Sequence, residues 1–151
     1  MHLGSIYLVV KDFNKSIKFY EALLGMSVSS KNMERFAQFE FEGKNISIMN
    51  GYFDSKHPDL TEHKGEYTKE FDDLVAIAEA DNTHKFVLNF WVEDLKIEYE
   101  RIRNLGLSNK LTPLKYVNNV VPYYYFQLDD PDGNVIEITG EYSPTKGEFE
   151  N

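Results

Sequence analysis

The residues with the most chemical potential lie close together near the end of the chain, in Asp129-Asp130-Pro131-Asp132-Gly133-Asn134-Val135-Ile136-Glu137-Ile138. This stretch reads as a strand end, a tight turn and a second strand that carries Glu137 on a face of its own. A carboxylate so placed can orient a cation, ligate a metal or, with its pKa raised by burial, act as a general base. A fainter copy, Glu40-Phe41-Glu42-Gly43-Lys44-Asn45-Ile46-Ser47-Ile48, has Ser47 where the later stretch has Glu137. Other chemistries are poorly served. The chain has no cysteine, which removes disulfides, thiolate metal sites and Cys–His pairs. It has no Gly-x-Ser-x-Gly elbow, no P-loop and no Gly-x-Gly-x-x-Gly. His57 and His63 fall in an irregular region and read as solvated loop histidines. His84 sits on the wrong strand parity to join Val87, and His2 has no role.

The elements that position these residues follow from pattern. Ser5–Val10 is a strand of β-branched and aromatic residues. Asp12 or Asn14 caps a helix that runs to Leu24 and ends at Gly25. Strands are expected at Met26–Ser30, Phe36–Glu42 and Asn45–Met49, the last two joined by a hairpin at Gly43-Lys44. Residues 51–84 are irregular, with one short helix expected near Tyr67–Glu79, and read as a linker. The pattern then restarts with a strand at Lys85–Val92 and an Asp94-capped helix closed by Gly106. A weak strand is expected near Leu107–Leu111 and a loop at Thr112–Pro122, followed by strands at Tyr123–Leu128 and Asn134–Thr139. The tail, 141–151, is polar and expected to fray.

Length and composition bound the rest. A chain of 151 residues, 42% hydrophobic and 27% charged, suits a single domain. The net charge of −9 lacks the basic footprint of a nucleic-acid binder and weakly favours cationic or neutral ligands. No apolar run is long enough to span a membrane, and the first residues lack the plan of a signal peptide. These features point to a soluble, cytoplasmic protein.

Strand, Asp-capped helix, glycine and three strands occur twice in the same order, which marks an internal duplication. The expected fold class is α+β: module 1 at about 3–50, the linker at about 51–84 and module 2 at about 85–140. Two βαβββ modules would form curved mixed sheets around a cup-shaped cleft, with helices on the outer faces.

Three segments carry a family resemblance. They are Ser5-Ile-Tyr-Leu-Val-Val-Lys-Asp12, Ser16-Ile-Lys-Phe-Tyr-Glu-Ala-Leu-Leu-Gly25 and Asp130-Pro-Asp-Gly-Asn-Val-Ile-Glu137. Over residues 3–140 the chain resembles the vicinal oxygen chelate superfamily, which includes glyoxalase I, extradiol dioxygenases and the fosfomycin- and bleomycin-resistance proteins. The resemblance implies paired βαβββ modules, a homodimer, and a ligand site inside the cup. In the family's metalloenzymes a divalent ion is held by one position in the first strand and one in the last strand of each half. Here those positions are Ser5, Ser47, Val87 and Glu137. Valine cannot ligate, serine hydroxyls are poor ligands, and one carboxylate alone binds weakly, so neither a metal nor another cofactor is expected.

Strand parity then gives the cup-facing set. If Glu137 faces the cup, so do Val135 and Thr139, along with Ser5, Tyr7, Val9, Val87, Asn89 and Trp91, and with Gln38, Glu40, Ser47, Met49, Tyr123, Tyr125 and Gln127. The opposite parity is almost wholly apolar and belongs under the helices. An aromatic cup with two acids, Glu40 and Glu137, suits metal-independent binding of a small organic compound, aromatic or cationic, in the manner of bleomycin-resistance proteins. The alternative is a glyoxalase-like lyase or isomerase, or a dioxygenase, using Glu137 as base or metal ligand. A regulatory or structural dimer without a small ligand is a third reading.

Overall fold

The computed structural model describes residues 1–119 and 121–150. The chain divides into two compact units, Met1–Asp81 and the remainder from Asn82. Each is built the same way.

In the first unit, β1 (Ile6–Val10) is followed by α1 (Phe13–Leu24), β2 (Ser30–Asn32), β3 (Phe36–Phe41) and β4 (Lys44–Asn50). The sheet order is β1-β4-β3-β2, with β1 parallel to β4 and the other pairs antiparallel. Asp12 starts α1 by accepting the Lys15 N–H at 3.0 Å, and Gly25 ends it at φ 64°, a left-handed conformation that glycine adopts without Cβ strain. The buried stripe Phe13, Phe19, Tyr20 and Leu23 packs with the apolar sheet positions Leu8, Val10, Ala37, Phe39, Ile46 and Ile48. Each large side chain buried here contributes about 1.5–3 kcal/mol.

The rest of this unit is α2 (Phe53–Lys56), α3 (Lys69–Asp72) and α4 (Leu74–Glu79). The single short helix expected at Tyr67–Glu79 is therefore two. Asp73 divides them because its carboxylate accepts the Ala76 N–H at 3.0 Å and starts a new N-terminus. α4 lies against β1. A Cβ built on Gly51 would stand 2.6 Å from Ala78 Cβ, 2.9 Å from the Leu74 carbonyl and 3.2 Å from Val9 Cγ1, so glycine permits this approach.

The second unit repeats the plan with β5 (Val87–Val92), α5 (Leu95–Leu105), β6 (Lys115–Asn119), β7 (Val121–Asp129) and β8 (Val135–Gly140). The order is β5-β8-β7-β6, with β5 parallel to β8. Asp94 caps α5 through the Ile97 N–H at 2.9 Å, and Gly106 closes it at φ 60°. Leu95 and Ile102 are buried, and the Tyr99 ring meets Phe126 edge-on at 5.1 Å. The fold class is thus α+β with two mixed four-stranded sheets, as the duplication predicts.

Three local expectations fail, each for a hydrogen-bonding reason. The second strand is not Met26–Ser30 but Ser30–Asn32. Met26 and Val28 donate to the backbone and side chain of Glu21, which ties the segment to the end of α1. Leu107–Leu111 is not a strand. The Lys110 N–H bonds Ser108 Oγ, Ser108 donates to Asp129, and the strand forms later, inside the expected loop Thr112–Pro122. The tail does not fray through Phe149. Its ring lies 5.9 Å from Tyr116, 5.7 Å from Tyr124 and 6.2 Å from Tyr142, while Tyr142 OH donates to Glu148. Burial first, and the carboxylate second, push the Tyr142 phenol up to about 12.

Candidate functional site

The turn before β8 is held from within. The buried Asp130 carboxylate accepts the Asp132 and Asn134 N–H groups, both at 2.9 Å, and Asn134 Nδ2 at 2.8 Å. β8 leaves this turn in register, with Glu137 opposite Asn89 on one side and Gln127 on the other. Those residues share a sheet face, and their side chains converge. Glu137 Oε1 accepts Tyr123 OH at 2.7 Å and Asn89 Nδ2 at 3.0 Å; Oε2 accepts Gln127 Nε2 at 3.1 Å. Asn89 Nδ2 also reaches Tyr123 OH at 3.2 Å.

Around this core, Lys115 Nζ donates to Gln127 Oε1 at 3.2 Å and sits 5.8 Å from the Tyr125 ring centre. The Tyr123 and Tyr125 rings are 5.5 Å apart. Burial, then the bond to Glu137, push the Tyr123 phenol up, so it keeps its proton and remains a donor. A carboxylate oxygen accepts about two hydrogen bonds; among the described residues two donors reach Oε1 and one reaches Oε2. Trp91 shares this face, with its pleat partner at Thr139, and is 61% exposed. Five residues expected from parity thus form one group: Asn89, Tyr123, Tyr125, Gln127 and Glu137.

On the first sheet the matching row is Tyr7, Ser47 and Gln38. Ser47 is fully buried, and its Oγ lies 2.7 Å from Ser5 Oγ. Tyr7 is exposed and touches the Phe36 ring edge-on at 6.5 Å. Gln38 is half-buried, and Glu40 is exposed opposite Asn45. Among the described residues, Tyr7, Gln38 and Glu40 do not assemble into a network of the kind seen around Glu137.

The donor set does not fit the family's divalent metal. The Ser5 and Ser47 hydroxyls bond each other, Val87 offers no lone pair, and Glu137 is already held by three neutral donors. Among the described residues no group of three or more His, Cys, Asp or Glu side chains is placed to hold an ion.

Sequence reasoning missed a second polar group, in the first unit. Arg35 clamps Asp54 in a two-pronged ion pair, Nε to Oδ1 at 2.7 Å and Nη2 to Oδ2 at 3.0 Å. Thr61 Oγ1 adds a bond to Asp54 Oδ1 at 3.1 Å, and His63 Nε2 lies 3.3 Å from Oδ2. His63 is therefore anchored at its ring nitrogen rather than merely solvated, although its side chain is 68% exposed. The Arg35 hydrogen bond holds the Asp54 carboxyl below the usual carboxylate range. Arg35 and Asp54 are 19 residues apart and follow no periodic pattern, so no local signal joins them. They form part of the lining of a cavity of about 540 Å³, together with Tyr7 and Met49 from the sheet and several residues of 63–75.

Paired βαβββ units, with a carboxylate network on one open sheet face, define a duplicated α+β class of small proteins. The chain belongs to the Glyoxalase/Bleomycin resistance protein/Dioxygenase superfamily, whose pattern it matches over residues 2–138. It is 30% identical over 139 residues to "Uncharacterized protein YraH" of Bacillus subtilis (strain 168), a match that covers 91% of this chain and 97% of that one. A glyoxalase/bleomycin resistance protein/dioxygenase from Nocardioides superposes with a TM-score of 0.65 at 18% identity, covering 97% of this chain and 87% of its own. A structure from the mobile metagenome of V. Pseudocholerae gives 0.60 at 25% identity, covering 95% and 96% respectively. The Nocardioides likeness shows the fold alone. Among the described residues no helix is long and apolar enough to cross a membrane.

Proposed function

We propose that this protein binds a small organic compound, without a metal ion, on the mixed face of its second sheet. The observation that carries this reading is the state of Glu137: held by three donors, two on Oε1 and one on Oε2 among the described residues, beside the rings of Tyr123 and Tyr125. A carboxylate fixed in this way is pre-organised to take a donor from a ligand, at little ordering cost. The aromatic rings suit a flat body, and the negative carboxylate suits a cationic or N–H-bearing end. The superfamily's bleomycin-resistance branch supports a binding role on grounds of kinship. The lyase, isomerase or dioxygenase alternative gains no comparable support, because it asks for an unencumbered base or a metal donor set.

Trp91 is the only tryptophan of the chain and shares the proposed face, so its fluorescence reports on the site. Titration with benzamidine, a flat aromatic amidinium, is expected to change that emission saturably and equally with and without EDTA. Glu137→Gln is expected to weaken binding roughly tenfold, the worth of one charge-assisted hydrogen bond. A response that needs a divalent ion, or one that Glu137→Gln leaves untouched, would overturn the reading.

A further inference from the structure

Asn50-Gly51 is the one Asn-Gly pair in the chain. Such a pair is intrinsically reactive, because glycine has no Cβ to keep its nitrogen away from the preceding side chain. The Gly51 backbone nitrogen attacks Asn50 Cγ as it gives its proton to solvent. The Cγ–Nδ2 bond then breaks, Nδ2 leaves as ammonia with a proton from water, and a succinimide ring is closed. Water opens that ring at either carbonyl and leaves aspartate or isoaspartate at position 50. The step needs no co-reactant beyond water.

The fold has a use for both residues. A Cβ on Gly51 would stand 2.6 Å from Ala78 Cβ and 2.9 Å from the Leu74 carbonyl, so packing demands glycine. Asn50 ends β4 and uses both ends of its amide. Nδ2 donates to the Glu34 carbonyl at 2.8 Å, and Oδ1 accepts the Tyr52 N–H at 3.0 Å. The same contacts hold the pair unreactive. The Gly51 N–H, which is the nucleophile, donates to the carbonyl of buried Val10 at 3.0 Å where β1 meets β4. The Asn50 N–H donates to the Arg35 carbonyl at 2.9 Å and fixes the residue from the other side. Attack requires the Gly51 nitrogen to leave Val10 and the Asn50 amide to turn away from Glu34 and Tyr52.

We propose that Asn50-Gly51 is a self-modification site held in check by the first sheet, and that it converts only when the β1–β4 end opens. Local opening of this kind is a normal property of folded chains. The products do not close again as the parent does. Aspartate lacks the Nδ2 donor and sets a charged oxygen against the Glu34 carbonyl. Isoaspartate adds a methylene to the main chain, so Gly51 no longer meets both Val10 and Ala78. Either change loosens residues 34 and 35, and Arg35 carries the clamp on Asp54. A transient opening is thereby written into the covalent structure, and its isoaspartyl product is a substrate for carboxyl-methylating repair enzymes.

The test is to age the whole protein at mildly alkaline pH, native and in unfolding urea, and to follow position 50 by peptide mass mapping and enzymatic isoaspartyl methylation. In urea, Asn50 is expected to convert ahead of the other asparagines. Each of the three bonds that must break favours the closed form by a factor of about five, so native protein is expected to convert roughly a hundredfold more slowly. In sub-denaturing urea the native rate is expected to rise in step with hydrogen exchange at the Gly51 N–H. Converted protein, refolded from urea, is expected to melt below the parent. Asn50→Ser cannot close the ring and is expected to abolish the isoaspartyl signal. Equal rates in native and unfolded chains, conversion centred on another asparagine, or a native rate indifferent to Gly51 exchange would each overturn the proposal. So would a converted protein that melts like the parent, or a signal that survives Asn50→Ser.

Discussion

The two units share their wiring and differ in what the shared positions hold. In each, the last strand lies between the first and the third, and one row of three residues crosses the sheet. In the first unit that row is Tyr7, Ser47 and Gln38; in the second it is Asn89, Glu137 and Gln127. Glutamine is common to both. Where the centre is Ser47, the hydroxyl turns to Ser5 and disappears from the surface. Where it is Glu137, the glutamine and the asparagine both turn inward and donate to it. A single side chain at the centre thus decides whether the row is inert or a polar site. The first unit places its charged clamp elsewhere, on Arg35 and Asp54, with the help of a segment that has no counterpart in the second.

Substitutions that exchange features between the units test this comparison. The largest effect is expected where the backbones differ in tolerance. Gly140 pairs with Val92, and a Cβ there would stand 2.1 Å from the Val92 carbonyl oxygen. The matching residue of the first unit, Asn50, carries a full side chain opposite Val10. Gly140→Ala is expected to cost about 3 kcal/mol or more and to lower Tm by roughly 6–12 °C in a thermal melt. A melt within a degree or two of the parent would show that the parallel pair can shift to admit the methyl group.

Next comes Ser47→Glu, which gives the first sheet the centre of the second. Ser47 is 0% exposed, and Gln38 with Ser5 cannot supply the three donors that Glu137 has. The variant is expected to lose about 2–3 kcal/mol at neutral pH, the cost of an under-bonded buried carboxylate. Burial would raise the folded-state pKa of the new acid, so the deficit should shrink as the pH falls and the group takes a proton. Chemical denaturation at pH 7 and pH 5 measures it; a deficit that does not shrink would mean that the first sheet supplies its own donors.

The smallest effect is expected at the clamp. Asp54→Asn keeps the shape and removes the charge, at a cost of about 1–2 kcal/mol at pH 7. Arg35 holds the folded-state carboxyl below its ordinary value of 3.8. Its contribution is therefore complete above 3.8 and fades as the pH drops through the lowered value, where parent and variant should converge. Melts across pH 3–7 would show this, and parallel curves would mean that the clamp adds nothing.

How much of this was legible in the sequence follows from the range of each interaction. Asp12, Gly25, Asp94 and Gly106 act within a turn of their own helices, and all four behave as their types require. Alternation along β5, β7 and β8 was enough to gather Asn89, Tyr123, Tyr125, Gln127 and Glu137, because parity survives small errors in strand ends. Arg35–Asp54 and the ring cluster of Phe149 were not legible. Each joins distant residues through tertiary folding, with no repeat to announce it. The displaced second strands failed similarly: Glu21 and Ser108 drew the local backbone into side-chain bonds that strand patterns ignore.

The grouping of residues 51–79 with the first sheet bears also on the order in which the protein can be made. Every strand pairing of that sheet, the clamp and the docking of α4 on β1 lie within Met1–Asp81. During synthesis the chain emerges amino end first, and units that contain their own contacts fold as they appear. The first cavity is thus complete in sequence before the residues around Glu137 have left the ribosome, so a nascent chain stalled beyond residue 81 already holds every part that cavity requires.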